Sequence, residues 1–137
     1  MNRREFLTTA VTAAAASPLI AAESGPPPIC YELRVYHAAA GKLDALHERF
    51  RNHTCAFFTK QGMTNVGYWV PLENPDRKLY YILSYPNRAA RDTSWKAFMD
   101  DADWKKAFAE SEKNGRLVTA AIGDLIGMRP NINPDDC

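Results

Sequence analysis

The chain has 137 residues, 46% of them hydrophobic and 24% charged, which gives room for one domain with a real core and excludes a disordered chain. Three Trp, six Tyr and six Phe are available for that core or for a pocket. A formal net charge of +1 argues against a nucleic-acid partner, which needs a basic surface to neutralise phosphates.

The chain opens Met1-Asn2-Arg3-Arg4-Glu5-Phe6-Leu7, continues through the Ala-rich stretch Thr8 to Ala22, and turns polar at Glu23-Ser24-Gly25. A basic start, a weakly apolar middle and small residues at Ala21 and Ala22 make a signal peptide. The arginine pair before Phe6-Leu7 resembles the twin-arginine export motif, with Asn2 and Thr8 as departures from it. The stretch is too short and too weakly apolar to remain as a span across about 30 Å of hydrocarbon. Residues 1–22 are therefore expected to be removed, leaving a periplasmic or otherwise extracytoplasmic protein without a stable membrane span. Losing Arg3, Arg4 and Glu5 takes Lys+Arg from 17 to 15 and Asp+Glu from 16 to 15, so the mature chain is neutral. Residues 23–28, with Pro26-Pro27-Pro28, read as a stiff spacer. The domain is expected over 29–130 and a polar tail over 131–137.

Within the domain, Tyr31-Glu32-Leu33-Arg34-Val35-Tyr36 alternates as a strand, with Tyr31, Leu33 and Val35 on one face and Glu32, Arg34 and Tyr36 on the other. After Ala40-Gly41, the apolar positions Leu43, Leu46, Phe50, Phe57 and Phe58, with Thr54 between them, call for a helix of about five turns, stopped at Gly62. Met63 to Leu72 and Lys78 to Tyr85, separated by the turn cluster Glu73-Asn74-Pro75-Asp76, form a hairpin. On its first strand the alternation puts Asn65, Gly67 and Trp69 on one side, and Val66, Tyr68 and Val70 on the other. Asn87 is placed to cap a helix carrying Trp95, Phe98 and Met99. Asp100-Asp101 interrupts it, and a second helix through Trp104, Ala107, Phe108 and Ser111 ends at Asn114-Gly115. Leu117 to Met128 closes the domain as a strand. The order is that of an α+β, ferredoxin-like split βαβ unit with an antiparallel sheet. Helices cover one sheet face only, so the other needs a partner.

Tyr31-Glu32-Leu33-Arg34-Val35-Tyr36, Gly41-Lys42-Leu43, Gly67-Tyr68-Trp69 and the Trp95 to Trp104 region together resemble the NIPSNAP family, over roughly Ile29 to Arg129. The resemblance implies a homodimeric α/β barrel, an architecture shared with cofactor-free monooxygenases, with haem-degrading enzymes and with proteins of no known chemistry, so fold does not settle function. The family's link to vesicular or mitochondrial processes in animals does not transfer to an exported chain. No cofactor is called for, and haem is the one prosthetic group the resemblance leaves open.

Hydrolase and kinase readings fail for want of a Gly-x-Ser-x-Gly elbow, a phosphate loop or a dinucleotide fingerprint. His47 and His53, six residues apart, lie about 120° apart around a helix at ~100° per residue, so they do not grip a metal together. No metal site is expected. Cys30, Cys55 and Cys137 match no zinc or redox spacing, and a Cys30 to Cys55 bridge is opposed by a helix that turns Cys55 off the apolar stripe. Arg88 to Arg91 and Lys105-Lys106 read as solvated helix faces, and Trp95, Phe98, Trp104 and Phe108 as core. The candidate ligand-binding residues are Arg34, Tyr36, His53, Asn65, Trp69 and Tyr81. Arg34 is suited to an acidic group or to a salt bridge with Glu32 or Asp124. His53 is the candidate acid, base or anchor, because Thr54 follows it on the stripe and Arg51-Asn52-His53-Thr54 resembles a stretch of bacterial relatives. The expected ligand is small and aromatic or otherwise apolar, held between sheet and helices. No reaction is legible; the alternative to binding alone is a cofactor-independent or haem-linked monooxygenase, in which His53, Asn65 and Trp69 would orient substrate and manage protons. An enzyme would need a polar group of perturbed pKa in an open cavity, whereas a structural module can have that space filled.

Overall fold

A computed structural model of the protein describes residues 29–127. The expected export segment, the Pro-rich spacer and the polar tail lie outside the described residues. The described elements are strand β1 (Cys30–Ala38), helix α1 (Leu43–Arg49), a π-helical segment (Phe50–Thr54), helix α2 (Cys55–Lys60), strands β2 (Thr64–Trp69) and β3 (Lys78–Tyr85), helices α3 (Arg88–Asp100) and α4 (Ala102–Ser111), and strand β4 (Val118–Gly127). The four strands form one antiparallel sheet in the order β2-β3-β1-β4, the ferredoxin-like arrangement, with the helices on one face.

The first helical stretch is not α-helical throughout. Leu46, Phe50, Thr54 and Phe58 are all buried, at a constant four-residue step. With 3.6 residues per α-helical turn, each such step drifts by about 40°, so a regular helix would rotate Phe58 about 120° away from Leu46. The wider turn of the π segment takes up that drift, with the Cys55 N–H reaching back to the Phe50 carbonyl. Gly62, at φ 81°, then turns the chain into β2, a backbone state that side chains with a Cβ rarely adopt.

Asn87 caps α3 by accepting from the Ala90 N–H at 2.8 Å. Replacing it with alanine is expected to cost about 1 kcal/mol, read from the urea midpoint. Asp101 ends α3 and caps α4, its Oδ1 accepting from the N–H groups of Asp103 and Trp104. Its Oδ2 accepts from Lys60 Nζ at 2.6 Å and Gln61 Nε2 at 3.0 Å, which fixes the helix junction to the end of α2.

The core lies between helices and sheet. Leu79, Tyr81, Leu83 and Tyr85 point inward from alternate positions of β3 and meet Leu46, Phe50, Phe58, Phe98 and Trp104. Phe58 packs its ring against Tyr81, Trp95 and Phe98 at centroid distances of 4.9–6.1 Å. Fully burying one such side chain stabilises the fold by about 1.5–3 kcal/mol.

One strand reading needs correction. A bulge between Asn65 and Gly67 adds a residue to β2, so Asn65 pairs with Leu83 while Gly67 pairs with Ile82. Asn65 therefore shares a face with Tyr68, whose hydroxyl donates to Asn65 Oδ1 at 2.5 Å, and not with Gly67 and Trp69. Among the described residues Cys30 and Cys55 are free thiols, not bridged to each other. Away from the helices the sheet presents Leu33, Val35, Tyr80 and Ile82, with Ile122 and Ile126 on β4 left 53% and 42% exposed.

Candidate site between sheet and helices

The alternation of β1 sends its polar set, Glu32, Arg34 and Tyr36, inward beneath the helices. A buried carboxylate survives there only with donors around it. Glu32, 1% exposed, is surrounded by them. Its Oε1 accepts from Arg34 Nη1 at 2.7 Å and Arg91 Nη2 at 2.8 Å. Its Oε2 accepts from Tyr85 Oη at 2.7 Å, Trp95 Nε1 at 2.9 Å and Arg91 Nε at 3.2 Å. Burial pushes the Glu32 carboxyl up, but the bonds from Arg91, Tyr85, Arg34 and Trp95 outweigh it and hold the pKa at about 2. Arg91 and Trp95 stand four apart on α3 and so face the sheet together. Arg91 is thus not a solvated helix residue: the buried carboxylate draws its guanidinium inward.

Arg34 has a partner at each of its three nitrogens. Its Nε donates to Tyr81 Oη at 2.9 Å and its Nη2 to Tyr36 Oη at 3.4 Å, while the Trp95 ring covers its guanidinium with 4.3 Å from carbon to centroid. Of the two salt-bridge partners expected for it, Glu32 is the one used. Asp124 pairs with Leu33 and belongs to the other sheet face. Room for the ion pair comes from β4, where Gly123 lies opposite Arg34. A Cβ at Gly123 would stand 2.7 Å from Arg34 Nη1 and 2.9 Å from Glu32 Oε1, closer than carbon approaches either atom.

Ala121 and Gly123 leave β4 bare on its helix side, and a cavity of about 550 Å³ opens there. Trp95, Phe98, Trp104 and Phe108 wall it, with Arg34 and Tyr36 from the sheet and Arg49, Phe50 and Thr54 from the first helical stretch. Arg49, 5% exposed, donates through Nη1 to Ser111 Oγ and Glu112 Oε1, both at 3.3 Å, and lies over the Phe108 ring at 4.9 Å. Its Nε is buried without a hydrogen-bond partner among the described residues. Burial pulls this guanidinium below the ordinary arginine pKa, against the opposing pull of Glu112. Burial also pushes the phenols of Tyr81 and Tyr85 up, so neither gives up its proton near neutrality.

Of the six residues singled out in the sequence, Arg34, Tyr36 and Tyr81 come together, the first two on the cavity wall and Tyr81 behind them. The other three lie apart. His53 is exposed and lines neither this cavity nor a second one of about 340 Å³. Asn65 donates to the Cys55 carbonyl and Thr59 Oγ1, tying β2 to α2. Trp69, 51% exposed, folds its ring over Gly67 and borders the smaller cavity with His47 and Tyr68. Arg49, the inward turn of Arg91 and the indole N–H of Trp95 went unread, and Glu32 was read only as a partner of Arg34. The signal for two of them was the four-residue spacing of Arg91 and Trp95, opposite a strand bearing a lone inward carboxylate.

Among the described residues no group of three or more His, Cys, Asp or Glu is gathered to hold a metal. Among the described residues the cavity wall carries neither histidine nor cysteine, the Tyr36 hydroxyl is engaged by Arg34, and the Met99 thioether has no histidine to complete a Met/His pair, so its residues do not fit the iron of a haem. No helix among the described residues is long and apolar enough to cross a membrane.

The NIPSNAP family model matches residues 31–122. Among solved structures, the chain is similar to a NIPSNAP family protein of unknown function from Agrobacterium tumefaciens, at 17% identity and TM-score 0.66, covering 78% of this chain and 93% of that one. An uncharacterised NIPSNAP domain protein from Burkholderia xenovorans matches at 13% identity and TM-score 0.64, over 76% and 98% of the two chains. SnoaB, a cofactor-independent oxygenase from Streptomyces nogalater, matches at 14% identity and TM-score 0.56, over 77% and 97%. At these identities the likeness concerns the fold alone. No curated protein matches.

Proposed function

Because the chain belongs to the NIPSNAP family, we propose that it is an exported homodimer whose two sheets pack face to face as an α/β barrel, each protomer holding a small apolar or aromatic molecule between sheet and helices. The observation that carries this reading is the open, aromatic-walled cavity of about 550 Å³, within the size range of small-molecule sites, ~300–1,000 Å³. A purely structural module would have no need to keep that space open. The polar groups beside it are perturbed, but away from neutrality: Glu32 is held ionised and the tyrosines protonated, which suits binding better than proton transfer. The exposed isoleucines of β4, beside Leu33, Val35 and Ile82, support a sheet-to-sheet partner, and the basic, Ala-rich N-terminus supports export.

A second reading, a cofactor-independent monooxygenase, draws on the fold likeness to SnoaB and on the aromatic wall. It has lost the three residues first expected to serve it, since His53, Asn65 and Trp69 lie off the cavity wall. Dioxygen uptake on adding the bound molecule would favour it.

The test is native mass spectrometry of protein purified from the periplasm, compared with the same sample denatured. A dimer with a defined extra mass is the expected result. A monomer would sink the barrel, and an empty dimer would favour a structural module.

A further inference from the structure

We infer that the molecule held in this cavity is an acid, an apolar or aromatic body carrying one carboxylate or similar anion, and that Arg49 receives the anionic end. The inference rests on the cavity being a binding site, as proposed above, and adds the chemical class of what it binds.

The charge around the cavity is lopsided. Among the described residues Arg34, Arg49, Lys105 and Arg116 line it with Glu112 as the one carboxylate on the wall; Glu32 behind the wall balances Arg34 and Glu112 balances Arg49, which leaves Lys105 and Arg116 in excess. Lys105 and Arg116 are exposed at the rim and have no ion-pair partner among the described residues. They would draw an anion toward the opening. Deeper in, the two arginines differ. Each nitrogen of Arg34 already donates to Tyr81, Glu32 or Tyr36 and its charge is paired with Glu32, so only the second N–H of each Nη is left over and the guanidinium is held by partners of its own. Arg49 is 5% exposed, its two bonds to Ser111 and Glu112 are both 3.3 Å long, and its Nε is buried with no partner among the described residues.

Glu112 is a divided counter-ion, because the same Oε1 also accepts from the Leu117 N–H at 3.3 Å. A buried guanidinium with slack bonds and an orphan donor, sandwiched against Phe108, is suited to a carboxylate that arrives attached to a ring. The flat body would lie among Trp95, Phe98, Trp104 and Phe108, and the small Ala121 would let it slide in along β4.

The experiment titrates the full mature chain with 2-naphthoate and, separately, with the neutral 2-naphthalenemethanol, reading tryptophan fluorescence. The acid is expected to bind about tenfold tighter or more at neutral pH. That preference should disappear as pH falls through a carboxylic acid pKa of about 4. It should also be lost in Arg49→Gln, with circular dichroism confirming that the variant folds. Arg49→Lys, which keeps the charge, serves if Arg49→Gln does not fold and should keep part of the preference. Equal binding of acid and alcohol would overturn the acid inference and leave the cavity reading standing. Binding of neither would overturn the cavity reading itself. A preference that survives in folded Arg49→Gln would remove Arg49 from the role.

Discussion

Replacing Glu32 with glutamine is expected to destabilise the protein by about 3–5 kcal/mol, the usual cost of breaking a buried ion pair from one side. The amide keeps the shape but removes the charge that compensates Arg34 and Arg91, and it turns an N–H₂ group toward donors. The same carboxylate gives a pH dependence whose sign is fixed. Its pKa is lowered from 4.5 to about 2 on folding, so its contribution is complete above about pH 4.5 and drains away as pH falls toward 2. A shift of that size corresponds to ~3 kcal/mol at ~1.36 kcal/mol per pKa unit, consistent with the expected cost of the substitution. Urea unfolding of the wild type across this acid range should show the loss, and Glu32→Gln should flatten it. A wild-type curve that stays flat there would mean that Glu32 is not the keystone of this cluster.

The legible part of the fold was what local pattern dictates. The alternation of β1, the turn cluster after β2, the Asn87 cap and the break at Asp101 each follow from a residue acting on its near neighbours, and each stands in the structure. The residues of the cavity were half legible. Arg34 and Tyr36 could be placed together because a strand has period two. Asn65 could not, because one extra residue at the bulge reverses every later side chain, and its only sign in Thr64-Asn65-Val66-Gly67 is a glycine inside a strand. Arg91 read as a surface cation because its partner, Glu32, lies 59 residues away across the sheet. Arg49 was hidden by a similar non-local cause. A buried arginine at the start of a π segment has no sequence pattern, since it depends on Phe108, Ser111 and Glu112 of the last helical region closing over it. What distinguishes this chain's cavity is therefore charge placed by tertiary pairing, on a scaffold of ordinary periodicity.

Filling the cavity from β4 gives the other large expected effect. Ala121 faces the helices, pairs with Tyr36 and lines the cavity, while its strand lies at the edge of the sheet. Tryptophan is well tolerated in strands, and Ala121 is exposed, so Ala121→Trp should change stability by no more than about 1 kcal/mol. The indole would occupy the space between the sheet and Trp104, and affinity for whichever naphthalene probe binds should fall ~100-fold, equivalent to about 2.8 kcal/mol. Fluorescence titration measures the affinity, urea unfolding the stability, and native mass spectrometry the assembly. Retained assembly with lost binding would locate the ligand between sheet and helices and separate it from the open sheet face. Unchanged affinity would place the bound molecule elsewhere, at the smaller cavity bordered by Trp69 and His47 or between the two sheets, and the roles given to Arg49 and the aromatic wall would fall with it.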